Sequence, residues 1–117
     1  STIAIVDNIG YQPSKRILRV LFDSGSSKTL ISQRVLTKQA RVKRLHANSK
    51  VQLLTLAGNV PVNTLVTLTD IRLPEFDKNR KVKQINAYVF DQKCRYDIIF
   101  GTDFLGQAGI YLNFSKN

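Results

Sequence analysis

Two short runs in this 117-residue chain, VLFDSG (20–25) and DIIFG (97–101), are apolar without alternation up to a glycine-containing turn. A strand with one wet face alternates apolar and polar residues, so unbroken runs suit strands buried on both faces. The runs TIAIV (2–6), ILRVLF (17–22), VQLLTL (51–56), VNTLVTL (62–68), QINAYVF (84–90) and DIIF (97–100) are rich in β-branched and apolar residues and predict strands. NIGYQPSK (8–15) reads as a turn-rich connection and LPEFDKNRK (73–81) as a polar, exposed loop. AGN (57–59) is a good hairpin tip, with Gly58 supplying a positive φ where one is needed. Helical signal is scarce. SQRVLTKQA (32–40) predicts two turns, with Ser32 as N-cap and Val35 and Leu36 packing inward. TDFLGQAG (102–109) predicts a shorter helix, capped by Thr102 or Asp103 and stopped near Gly109. The expectation is an all-β class: one domain over residues 1–117 with one short helix near its end.

What chemistry the chain can carry is limited by what it lacks. Cys94 is the only cysteine and His46 the only histidine, so an internal disulfide and the two-cysteine zinc patterns are ruled out. A Ser-His or Cys-His nucleophile would have to use His46, whose basic surroundings, RVKRLHANSK, suit an exposed loop. Neither a metal nor another cofactor is expected. Carboxylates remain, and Asp23 stands apart from Asp70 and Asp77 because it ends a continuously apolar strand rather than lying among polar residues. Most Asp-Ser-Gly triplets are simple turns that satisfy local backbone groups. The alternative is a catalytic carboxylate held at the mouth of a rigid loop.

The net charge is +10, and residues 28–50 supply +7 of it: Lys28, Arg34, Lys38, Arg41, Lys43, Arg44 and Lys50, with no acid. A solvated basic face is the simpler account. Nucleic-acid contact through this stretch would be weak and non-specific, because it contains no aromatic residue to stack on bases. No apolar run reaches the roughly 18 residues that a membrane helix needs, so no membrane partner is expected. The chain has no Met, as expected of a segment excised from a longer polypeptide or trimmed at its ends.

The strand-end Asp-Ser-Gly followed by TLIS (29–32) resembles the catalytic loop of retropepsins, the aspartic proteases of retroviruses and LTR retrotransposons. YDIIFGTDFLGQAGIYLNF (96–114) is similar to their apolar-apolar-Gly strand, terminal helix and final strand, and VQLLTLAGNVPVNTLVTL (51–68) stands where they have a flap hairpin. The order and spacing hold from about residue 15 to 114, and DSGSSKTLIS with GTDFL is closest in wording to gypsy-like elements. The resemblance implies a closed β-barrel with a flap hairpin and a short C-terminal helix, acting as a homodimer without cofactor. It implies that Asp23 is the catalytic aspartate, one per subunit, and that Ser24, Gly25 and Ser26 support its loop. Leu56, Ala57 and Gly58 would form the flap tip, and Tyr96 and Ile98 would line substrate pockets. Ile99 and Gly101 would lie on the inner strand under the Asp23 loop. Ile110, Tyr111, Leu112, Asn113 and Phe114 would form the dimer interface.

The implied activity is cleavage of a Gag-Pol-type polyprotein, in the cytoplasm, within a retroelement particle or after release from the polyprotein. Two positions depart from the family pattern. Retroviral enzymes often carry an acid two residues after the catalytic glycine, paired with an arginine after the later glycine. Here those positions are Ser27 and Thr102, so both halves of that interface brace are missing together. A catalytically silent module of the same fold, serving dimerisation or RNA association, and a cellular retropepsin-like protease are the alternatives.

Overall fold

The computed structural model describes residues 2–45, 51–55 and 58–110. Among the described residues nine strands run in chain order: β1 (Thr2–Ile9), β2 (Gln12–Phe22), β3 (Leu30–Ser32), β4 (Val42–Arg44), β5 (Val51–Thr55), β6 (Gly58–Val62), β7 (Thr64–Leu73), β8 (Asp77–Phe90) and β9 (Ile98–Phe100). A helix, α1 (Thr102–Ala108), follows. Strands β1, β2, β9, β3, β8 and β7 pair in that order, and β7 pairs back onto β1, closing a six-stranded barrel. β4 adds to the other end of β7, and β5 with β6 forms a separate hairpin.

The barrel closes because its inward residues stay inward past a shared kink. Ala4 and Val6 of β1 are buried, yet the next buried residue is Ile9, since a bulge between Val6 and Asn8 shifts the register. In β7 the buried positions change parity in the same way, from Val66 and Leu68 to Ile71 and Leu73, around Asp70 at φ 56°. β8 follows, with Val82 opposite Ile71 and Ile85 opposite Leu68. Without such shifts a period of two would turn Asn8 inward and Ile9 outward.

Four expectations change at the element level. The connection expected over 8–15 shrinks to a two-residue turn, Gly10–Tyr11, both at positive φ near 60°, the hand that matches strand twist. Asn63 breaks the run expected over 62–68, and there the chain leaves the hairpin and enters the barrel. The exposed loop expected over 73–81 is a turn at Pro74–Phe76, with β8 beginning at Asp77. The helix expected over 32–40 is one 3-10 turn, Gln33–Val35, after which Leu36 is extended. Ser32 does not cap it, because its backbone still belongs to β3 and its N–H donates to the Asp97 carbonyl.

The C-terminal helix forms where expected; Gly101 stands at its N-cap position, and within the first turn Asp103 Oδ1 accepts the Phe104 N–H at 2.8 Å. Gly109 ends it at φ 68°, and the Ile110 N–H donates to the Leu105 carbonyl, closing a Schellman-type cap. No helix among the described residues is long and apolar enough to cross a membrane.

Candidate active site

Asp23 leaves the barrel at the end of β2, which lies parallel to β9 with Leu21 opposite Ile99 and Phe22 opposite Phe100. Its N–H donates to the Phe100 carbonyl at 2.9 Å, extending the ladder by one bond before the chain turns. The turn closes on the aspartate itself: the Gly25 N–H donates to Asp23 Oδ1 at 2.9 Å, and the Ser26 N–H to the Asp23 carbonyl at 3.1 Å. Asp23 is 1% exposed in the single chain. A Cβ on Gly25 would lie 3.2 Å from Asp23 Oδ1, so a side chain there would crowd the carboxylate.

The loop is then locked from below. The Ser26 hydroxyl, buried, donates to the Lys28 carbonyl at 2.7 Å, while the Ser26 carbonyl accepts the Thr102 N–H at 2.8 Å. Gly101 passes so close that a Cβ would meet the Lys28 oxygen at 2.5 Å and the Ser26 oxygen at 2.7 Å. Thr29 is fully buried; its hydroxyl donates to Asp103 Oδ1 at 2.8 Å and accepts the Gly101 N–H at 3.3 Å. Its backbone N–H adds a bond to Asp103 Oδ2 at 3.1 Å. Buried polar groups are tolerated here because each finds a partner.

The acids flanking β9 are committed elsewhere. Asp103 holds Thr29. Asp97 accepts the Arg19 N–H at 2.8 Å on Oδ2 and the Arg34 guanidinium at 2.8 Å on Oδ1. Burial pushes the Asp97 pKa upward, but the Arg19 amide, the Arg34 hydrogen bond and the two guanidinium charges together hold it below the ordinary aspartate value. Among the described residues, no group of three or more His, Cys, Asp or Glu side chains is placed to hold a metal ion.

The other expected site residues fall in different places. Ser24 and Gly25 are exposed at the loop tip. Gly58 pairs with Thr55, so it sits one step below the hairpin tip; the tip residues Leu56 and Ala57 lie outside the described residues. Tyr96 is half-buried. Ile98, expected at a substrate pocket, is 0% exposed inside the barrel core. Alternation along β9 turns Ile99 the other way, into a smaller cluster with Leu30, Phe90 and Val62 from the base of the hairpin. The Ile110 side chain is 5% exposed and packs in its own chain's core. Tyr111, Leu112, Asn113 and Phe114 lie outside the described residues, as do His46 and Lys50. Of the basic stretch, Lys28, Lys38, Arg41, Lys43 and Arg44 are exposed, while Arg34 is tied to Asp97. A concavity of about 500 Å³ lies at the hairpin base, bordered by Leu36, Val42, Arg44, Val62 and Asp91; Asp23 does not line it.

Sequence reasoning missed Thr29, Asp103, Arg34 and Asp97 as supports. Nothing local marks them, because each pair lies more than sixty residues apart.

Comparison with known proteins agrees with this geometry. The family described as "gag-polyprotein putative aspartyl protease" matches residues 13–107. Among solved structures, EIAV protease complexed with the inhibitor HBY-793 superimposes with a TM-score of 0.59 at 21% identity, covering 97% of this chain and 92% of that one. A search of curated proteins gave no significant match. With four-fifths of its length matched and a retroviral-protease barrel around Asp23, the chain belongs to this aspartyl protease family, the retropepsin-like enzymes of retroviral and retrotransposon type.

Proposed function

We propose that the chain is an aspartic endopeptidase acting as a homodimer, in which the Asp23 carboxylates of two copies share one proton and activate a water molecule. The observation that carries this reading is the Asp23 turn, fixed by bonds to Phe100 and, through Ser26 and Thr29, to the start of α1. Such bracing holds a carboxylate rigidly while leaving the small residues Ser24 and Gly25 at the tip, where two loops could meet on a two-fold axis. Asp97 and Asp103 are engaged with Arg34 and Thr29, which favours a second carboxylate from another copy.

Two close carboxylates cannot both ionise cheaply, so one holds the proton. The ionised member takes a proton from water as that water attacks the scissile carbonyl. The protonated member polarises the carbonyl oxygen and later helps protonate the leaving nitrogen. Activity should therefore fall on both sides of an acidic-to-neutral optimum. Ser24 would join the two loops, the end of the hairpin at Leu56, Ala57 and Gly58 would close over the peptide, and Ile99 with Tyr96 would face it. Residues 111–114 would pair with the partner's end, and the 117 residues would form one protease domain. A Gag-Pol-type polyprotein is the proposed substrate.

The test is cleavage of a peptide library by the purified protein, inhibited by a statine-type transition-state mimic. Asp23→Asn should keep fold and dimer, because the amide is nearly isosteric, and lose activity by about 10²-fold or more. Retention of activity in that variant would assign the chemistry to another residue.

A further inference from the structure

The segment between β8 and β9, residues 91–97, carries Cys94 and Tyr96, and the protease reading above makes it one wall of the substrate cleft. Cys94 packs against the smaller apolar cluster, whose members Ile99 and Val62 connect the strand beside Asp23 to the base of the hairpin. The segment has no regular secondary structure of its own. Asp97 is pinned through its backbone, its N–H donating to the Arg19 carbonyl and its carbonyl accepting the Ser32 N–H. Upstream of Asp97, among the described residues, one side chain bonds two of the segment's carbonyls. Arg34 donates from Nη1 to the Cys94 carbonyl at 2.7 Å and from Nη2 to the Tyr96 carbonyl at 3.2 Å. The same guanidinium meets Asp97 Oδ1 through Nη2 at 2.8 Å and Nε at 3.3 Å. Within the segment, the Tyr96 N–H donates to the Cys94 sulfur at 3.5 Å.

An ion pair in which Arg34 is 43% and Asp97 16% exposed contributes little as a pair. Its value here is geometric. A planar guanidinium serves several acceptors in one fixed arrangement, which an ammonium on a flexible stem cannot reproduce. Asp97 fixes the orientation of the fork, and the fork fixes two carbonyls of the wall. Arg34 reaches them from the 3-10 turn after β3, whose Leu30 lies in the same apolar cluster. The wall is thereby referenced to the strands that carry the site.

We propose that Arg34, oriented by Asp97, is a positioning residue that sets the cleft wall at Cys94 and Tyr96 and so selects among peptide substrates by the side chain packed there. This rests on the protease reading above. Arg34 is remote from the reacting atoms, so its loss should appear in substrate binding and selectivity.

The experiment uses the full chain and two peptides that differ only in having Ala or Phe at one position next to the scissile bond. For Arg34→Ala, KM for the preferred peptide should rise about tenfold, with the change carried by KM rather than kcat. The preference between the two peptides should collapse toward unity. Amide hydrogen exchange at Arg95 and Tyr96 should quicken. Arg34→Lys keeps the charge and can pair with Asp97 but cannot fork to both carbonyls, so KM should stay raised. An Arg34→Ala enzyme with wild-type KM and selectivity, whatever its melting temperature, would overturn the proposal. So would full rescue by Arg34→Lys, which would mean that charge alone matters. If the wild type cleaves no peptide at all, the protease reading itself falls and takes the substrate role with it, a result distinct from an active enzyme with unchanged KM.

Discussion

At Gly101 the chain crosses beneath the Asp23 loop with no room for a methyl group, and the obstacles are backbone atoms of Ser26 and Lys28. Backbone cannot swing aside as a side chain can. Gly101→Ala should therefore destabilise the fold by about 1–3 kcal/mol, read by urea unfolding, and on the proposed function it should cost more activity than stability because the strain falls on the Asp23 loop. An unchanged midpoint would mean that the loop and β9 are less tightly packed than described. Asp97 makes a prediction in pH. Its folded pKa lies below the ordinary value, held there by Arg19 and Arg34 against the opposing effect of burial. It therefore adds stability above the unfolded aspartate value of about 3.9 and loses that contribution as pH falls through its lower folded value. Asp97→Asn should flatten the acid limb of the stability curve, measured by unfolding at a series of pH values; an identical acid slope would contradict this. Asp23 was legible in the sequence because a carboxylate closes an unbroken apolar strand. The Thr29–Asp103 and Arg34–Asp97 pairs were not, since their meaning depends on a contact that only the folded barrel creates.

The elements most readable in the sequence were those with strong local pattern: β1, β2, the hairpin and α1. β3 and β4 were not expected, and each is only three residues long. β3 exists because β8 and β9 flank it, and no local pattern reveals that pairing. The helix expected over 32–40 stops after one 3-10 turn because Ser32 is spent in β3 and Leu36 is extended, although Val35 packs inward as expected. At the other end, α1 depends on Gly109 and Ile110 for its cap, which separates two truncations. Removing residues 111–117 leaves that cap and the Ile110 packing in place. It should keep the fold by circular dichroism but lose dimer and activity, if the last strand pairs with a partner. Removing residue 110 as well should also lower stability by about 2–5 kcal/mol, as for other large losses from a core. An active dimer after the shorter truncation, seen by sedimentation, would place the interface mainly at the Asp23 loops.

For the whole molecule, the closed barrel and its membership in the aspartyl protease family followed from three motifs in the right order, although the shared kink of β1, β7 and β8 left no readable signal. The central claim is that two chains make one active site, each giving one Asp23. With +10 on each chain, two copies gather 2 × 10 = +20 and repel at long range. The decisive measurement therefore belongs at about 0.1 M salt, where the Debye length is ~10 Å. Wild-type and Asp23→Asn protein are mixed in equal amounts at fixed total concentration, allowed to exchange subunits, and assayed for peptide cleavage. If one carboxylate from each copy is required, only dimers of two wild-type chains are active, and the rate should fall to about one quarter of the all-wild-type value. A rate of about one half, linear in the wild-type fraction, would show that each chain works alone and would contradict the shared dyad.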